Sequence, residues 1–68
     1  MEERQKLSLR TLRQIAGFTV EESAEKVGIS TKSLYMWEKD ISKLRSARLD
    51  SVIRLCELYG TTLEHLLY

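Results

Sequence analysis

The chain has 68 residues and a formal net charge of +1, because its 11 lysines and arginines nearly balance its 10 aspartates and glutamates. A chain of this length forms one small domain and buries only roughly 60 % of its unfolded surface. The sequence has no apolar run near the ~20 residues of a membrane span and no signal peptide, and its lone cysteine cannot form an intramolecular disulfide. These features predict a single domain over residues 1–68, located in the cytoplasm and without a membrane partner.

Glycine spacing and the absence of proline predict an all-α domain. Each of the three glycines follows a segment with apolar residues at helical spacing, and glycine is common directly after a helix C-terminus. These glycines are Gly17, Gly28 and Gly60. Five helices are predicted, at about 3–16, 20–27, 31–39, 47–59 and 62–67. The longest irregular stretch is then 40–46.

Hydroxyl side chains mark three of the predicted helix starts. Thr19 with Glu22, and Thr61 with Glu64, have the spacing of capping boxes, in which the two side chains satisfy backbone N–H groups of the first turn. Ser30 can cap the helix between them. These caps set the predicted starts of the second, third and fifth helices.

Residues 20–39 have the spacing of a helix-turn-helix. Ala24 is small where a larger side chain would hold the two helices apart, and Gly28 stands where the first helix must end in a left-handed conformation. Ile29 and Leu34 supply apolar contacts that fix the angle between the helices. In DNA-binding proteins with this motif, the second helix lies in the major groove.

The chain resembles the Cro/repressor (XRE) family of helix-turn-helix DNA-binding domains. The resemblance lies in the segments LRTLRQIAGFT (9–19), GISTKSLYMWEK (28–39) and LDSVIRLCELYGTTLEHLL (49–67). It implies an all-α, compact five-helix domain of the lambda-repressor-like type, with the helix-turn-helix formed by helices 2 and 3. With the Trp37–Glu38 pair at the end of its third predicted helix, this small domain resembles phage-type repressors and Cro-like regulators. The resemblance thus implies a bacterial or phage-encoded repressor that binds double-stranded DNA at an inverted repeat as a homodimer.

Basic residues are concentrated around the third predicted helix. Residues 26–48 hold six lysines and arginines against two acidic residues, a net charge of +4, whereas residues 1–25 carry −1 and residues 49–68 carry −2. Phosphate neutralisation supplies most of the sequence-independent affinity for DNA, so this excess favours the third helix and the segment after it as the DNA-facing side. Taken alone, the charge is also consistent with an ordinary solvated surface.

The exposed face of the third helix holds the candidates for reading bases. Helical geometry directs Leu34 and Trp37 toward the core and leaves the opposite face for DNA. The resemblance implies base readers at the positions of Thr31, Lys32 and Met36, with two further residues alongside. The predicted base-contacting residues are Thr31, Lys32, Ser33, Tyr35 and Met36.

Phosphate contacts are predicted before and after that helix. Thr19 and Ser30 cap helix N-termini, where the helix dipole favours an anion. In the resembled family, the position of Arg13 leans toward a phosphate while the arginine forms a structural ion pair with the position of Glu38. The predicted phosphate-contacting residues are Arg13, Thr19, Ser30, Lys39, Lys43 and Arg45.

Two residues depart from the pattern of the resembled family. Val20 stands where the family has a phosphate-binding glutamine, and Asp40 replaces a glycine whose backbone is left-handed. With the low net charge, they leave open a second function: a helix-turn-helix scaffold used as a protein-interaction or antitoxin-like module without DNA binding. The sequence has no constellation of catalytic residues or metal ligands, so we expect neither an enzyme nor a cofactor nor a small-molecule ligand.

The contact between the protomers of a homodimer is predicted on the C-terminal side. Leu66, Leu67 and Tyr68 end a short helix that cannot bury all of them, and Leu44 is apolar within a polar linker. Alternatively, Leu66 and Leu67 join Leu63 in closing the core of a single protomer.

Overall fold

The structure is a computed structural model that describes residues 8–67. It contains six helices: α1 (Leu9–Ala16), α2 (Val20–Val27), α3 (Thr31–Lys39), α4 (Ile41–Arg45), α5 (Leu49–Tyr59) and α6 (Leu63–Leu67). The all-α prediction is confirmed, and the described residues contain no strand. The helix count is six rather than five, because the segment predicted to be irregular contains α4.

Asp40 explains the additional helix. Its backbone φ is −138°, which is extended rather than left-handed, so the expectation of a left-handed residue here is wrong. The Asp40 carboxylate accepts hydrogen bonds from the Ser42 hydroxyl at 2.7 Å and from the Ser42 N–H at 3.0 Å. Asp40 therefore ends α3 and caps α4, and these two bonds lower the pKa of its carboxyl below the ordinary value.

Three predicted helix starts also differ from the structure. The first helix begins at Leu9, because Ser8 is extended and its Oγ accepts from the Thr11 N–H at 3.1 Å; residues 3–7 lie outside the described part of the chain. The predicted fourth helix, which is α5 in the structure, begins at Leu49 rather than at residue 47. The last is capped by Thr62, whose Oγ1 accepts from the His65 N–H at 3.2 Å, so the predicted Thr61–Glu64 box is wrong. Two adjacent threonines left the cap ambiguous in the sequence.

The turn between α2 and α3 has the predicted geometry. Gly28 has a φ of +86°, and its N–H donates to the Ala24 carbonyl at 2.8 Å. The Ile29 N–H donates to the same carbonyl at 3.0 Å, and Ala24 is 2 % exposed. The small residue and the glycine thus allow α3 to follow α2 after three residues.

The core lies around α5, which packs against α1, α2 and α6. The buried apolar residues of this core are Leu9, Ala24, Val27, Leu34, Leu44, Val52, Leu55, Cys56, Tyr59 and Leu66. Burial raises the pKa of the Cys56 thiol above its ordinary value. None of the helices between residues 8 and 67 combines the length and apolar character required to span a bilayer.

Two of the leucines assigned to a dimer contact belong to this core instead. Leu44 is 0 % exposed and Leu66 is 6 % exposed. Leu44 lies in the core because α4 is helical and packs against α3 and α6. Leu63 is partly buried against the same core, as the closing role predicts. Tyr68 and the side chain of Leu67 lie outside what the structure describes. The predicted dimer contact through Leu44 and Leu66 is therefore wrong.

Candidate nucleic-acid interface

The surface of α3 is divided between core and solvent. Leu34 is fully buried, and Trp37 is partly buried against the core. Lys32, Tyr35 and Met36 are exposed, the last two to 58 % and 40 %. Three of the five residues predicted to contact bases are therefore accessible to a duplex.

Thr31 and Ser33, the other two residues of that set, are only partly exposed. The Ser33 N–H donates to Ser30 Oγ at 3.0 Å, and the Ser30 hydroxyl donates to Ser33 Oγ at 2.9 Å. Ser33 is thus engaged in the cap of α3, and a base contact by its hydroxyl would compete with that cap.

The residues predicted to contact phosphates lie on several elements. Thr19 caps α2 in a complete capping box, in which Oγ1 accepts from the Glu22 N–H and Glu22 Oε1 accepts from the Thr19 N–H, both at 3.0 Å. Lys39 is exposed at the end of α3, and Lys43 and Arg45 are exposed on α4. Because α4 is helical, it presents its two cations on a regular element directly after α3.

Arg13 joins three segments near the predicted interface. Its Nε donates to Glu38 Oε2 at 2.7 Å, and its Nη2 donates to Glu38 Oε1 at 3.3 Å. Its Nη1 donates to the Phe18 carbonyl at 3.0 Å. The hydrogen bond to Glu38 raises the pKa of Arg13 above its ordinary value. The end of α1, the turn after it and the end of α3 are therefore held together by one side chain.

A cleft of about 290 Å³ opens between α1, the first turn of α2 and α3. Its lining residues are Arg10, Arg13, Val20, Tyr35, Glu38 and Lys39. Arg13 and Glu38 compensate each other, so Arg10 and Lys39 leave the lining with an excess positive charge. Sequence reasoning missed Arg10. Its position three residues before Arg13, and hence on the same face of α1, was the signal that could have identified it.

The chain is similar to known proteins over most of its length. The family described as Helix-turn-helix matches residues 9–66. The HTH-type transcriptional regulator ImmR of Bacillus subtilis (strain 168) is 36 % identical over 59 residues, which are 87 % of this chain and 44 % of ImmR. The chain thus spans less than half the length of this curated relative. No solved structure matches the chain at a significant level.

Proposed function

The chain belongs to the XRE-type helix-turn-helix family, which comprises transcription-regulator domains rather than enzymes, and we propose that it is the DNA-binding part of a repressor. The proposal places it in the bacterial cytoplasm, where the genome lies. The observation that carries it is the exposure of Lys32, Tyr35 and Met36 on a helix whose opposite face packs into the core. A helix fits the major groove by its unpacked face, so α3 is the recognition helix of the proposal.

The exposed and partly exposed side chains of α3 define which base edges it can read. The Lys32 ammonium can donate to O6 and N7 of guanine, and Thr31 and Met36 can pack on a thymine methyl group. Lys39, Lys43 and Arg45 then hold the flanking backbone, because lysine and arginine neutralise phosphates regardless of sequence.

Lys32→Ala tests the base-reading role of α3. An operator is first selected from a pool of random duplexes, and affinities are then measured by fluorescence anisotropy at fixed salt. The variant should lose about 1–3 kcal/mol on the operator and less on random DNA. Lys26→Ala, which removes the same charge from an exposed position of α2, is the matched control and should affect both duplexes alike. Equal losses of Lys32→Ala on the two duplexes would reassign Lys32 to a phosphate.

Salt dependence tests whether the chain binds DNA at all. The parent protein should bind random duplex with an affinity that falls steeply as salt increases, and Lys43→Ala and Arg45→Ala should each reduce that slope by about one unit. A parent protein without salt-dependent duplex binding would instead favour a protein-interaction module on the same scaffold.

The proposal includes a homodimer on an inverted-repeat operator. The nine residues of α3 span about 13 Å, so one protomer reads only a few base pairs of a duplex. Two-fold pairing would place a second α3 about 34 Å away on the same side of the duplex. The contact between protomers uses side chains other than Leu44 and Leu66, which lie in the core.

A further inference from the structure

We propose that two copies of this chain pair through one face of α5, with the two helices antiparallel about a two-fold axis beside Ile53. The face, which we call the α5 stripe, is formed by Arg48, Leu49, Ile53 and Glu57. The inference rests on the proposed function, because it gives the proposed homodimer a contact surface.

The centre of the α5 stripe is apolar and exposed to solvent. Leu49 and Ile53 are 62 % and 39 % exposed, and they lie four residues apart and thus on the same side of α5. Ile15 and Ile41, the other exposed aliphatic residues between residues 8 and 67, lie on two different helices. A contiguous pair of large aliphatic side chains in water favours a partner that covers both of them.

The charges at the two ends of the α5 stripe favour a second copy of the chain as that partner. Arg48 directly precedes α5 and its side chain is 83 % exposed, whereas Glu57 is exposed near the other end. An antiparallel pair sets the cation of each protomer beside the carboxylate of the other, so the attraction occurs twice. A parallel pair would instead place like charges together.

Both charged ends are available for such a contact. Glu57 forms no hydrogen bond or ion pair with another residue of the segment 8–67. Arg48 has one acidic neighbour, Asp50, and the Nε–Oδ1 distance of that pair is 3.5 Å between two exposed side chains. An exposed pair of this kind contributes little, so Arg48 can turn to a second carboxylate at small cost.

The spacing of the four residues gives the register of the pair. Leu49 lies four residues before Ile53, and Glu57 lies four residues after it. A two-fold axis beside Ile53 therefore brings its two copies together and sets each Leu49 against the aliphatic stem of the opposite Glu57. The apolar centre is then covered, and the charges lie at the rim, as in other protein interfaces.

The α5 stripe is small, so the pair is weak in free solution. Stable interfaces bury about 800 Å² per partner and use about 20–30 residues a side. The contact therefore acts mainly as cooperativity between protomers that an operator already holds side by side. It leaves the exposed face of α3 free for the major groove, because the α5 stripe lies on another helix.

Cysteine cross-linking tests the position of the axis and needs no DNA. Ile53→Cys should form an intermolecular disulfide under mild oxidation, because a residue beside a two-fold axis lies next to its own copy. Two controls should remain monomeric on a non-reducing gel. They are the parent, whose Cys56 is buried, and Ile15→Cys, which places a thiol at a more exposed position of α1.

Charge reversal tests the pairing of the ends. Because a reversed charge also changes the attraction to DNA, the readout is the cooperativity, which is the affinity for a palindromic operator relative to that for two independent half-sites. Arg48→Glu and Glu57→Arg should each lower it by about fivefold or more. The double variant should regain most of it, because opposite charges face each other again.

The rescue has to come from the contact between protomers. Nine residues of helix separate Arg48 from Glu57 by about 14 Å within one chain. Lys26→Glu, which reverses an exposed charge on α2, is the matched control and should leave the cooperativity unchanged. Circular dichroism of all variants should match the parent, since each substituted side chain is exposed.

The outcomes separate this inference from the function on which it rests. Cross-linking of Ile53→Cys no greater than that of Ile15→Cys overturns the α5 contact, and so does unchanged cooperativity in both charge-reversal variants. DNA binding by α3 survives either result, and the exposed aliphatic pair then belongs to a different partner. A parent protein without salt-dependent affinity for duplex overturns the proposed function, whereas the cross-linking result still decides whether α5 pairs.

Discussion

The Arg13 guanidinium uses three of its five N–H groups within the protein, two on Glu38 and one on the Phe18 carbonyl. The side chains of Arg13 and Glu38 are only 11 % and 5 % exposed. An exposed ion pair contributes ~0.2–1 kcal/mol, whereas removing one partner of a desolvated pair leaves an unmatched charge and costs more. The Arg13–Glu38 contact therefore stabilises the fold, whether or not Arg13 also contacts DNA.

Glu38→Ala should lower the free energy of unfolding by more than ~1 kcal/mol, because Arg13 then keeps its charge without its partner. Urea denaturation followed by circular dichroism gives the value. Glu25→Ala, which removes an exposed carboxylate from α2, should stay within about 0.5 kcal/mol of the parent. Equal stability of the two variants would show that the Arg13–Glu38 pair is effectively solvated.

At the scale of the helices, the turn after α2 requires glycine at position 28 because of its backbone conformation, and not because a side chain would lack room there. A Cβ added at Gly28 would meet the Arg54 Nη1 atom at 3.7 Å, an ordinary contact, whereas a φ of +86° is unfavourable for any other residue. Gly28→Ala should therefore destabilise the chain by about 1–2 kcal/mol. Gly17 has the same φ and open space around it, so Gly17→Ala should cost a similar amount in the same denaturation experiment. A much larger loss at Gly28 would mean that the added methyl group disturbs the packing of α2 on α3.

The start of α4 gives a pH-dependent contribution to stability. The folded-state pKa of Asp40 is lowered by its bonds to Ser42, so the ionised carboxylate is favoured by folding. Its contribution is fully present above the unfolded value near 3.8 and is lost as pH falls through the folded value. Asp40→Ala should therefore be less stable than the parent at pH 7, with a difference that shrinks below pH ~3.8. Asp40→Asn, which caps at any pH, should keep α4 and lack that dependence. An Asp40→Ala difference that stays constant between about pH 7 and about pH 2 would contradict this assignment.

The α2–turn–α3 unit was predictable because its signals are local. A capping box, a small residue, a glycine and a serine cap each act within one or two turns of helix. α4 was not predictable in the same way. Five residues are too short to display an apolar period, and Asp40 stands where the resembled family has a glycine, which hides its role as a helix cap. The cleft required the three-dimensional structure, because Arg10 and Lys39 lie on helices that meet only through tertiary packing.

At the scale of the whole molecule, the proposed function includes a homodimer that occupies both halves of an operator. Sedimentation velocity with a palindromic operator should give two protomers per duplex, and shortening the duplex to one half-site should weaken binding strongly, because the second protomer loses its contacts. A single protomer bound to the full palindrome with the same affinity as to the half-site would rule out the dimer.

The separation of roles along α3 has a consequence for how this chain could diversify. Leu34 and Trp37 maintain the packing, and the hydroxyls of Ser30 and Ser33 close the first turn, so the scaffold makes little use of the exposed side chains of Lys32 and Met36. Substitutions at those two exposed positions cost little stability, because surface changes away from caps and core are usually small in effect. Under the proposed function, the protein could therefore change its operator during evolution through stably folded intermediates, and its DNA specificity could be redesigned without changes to the core.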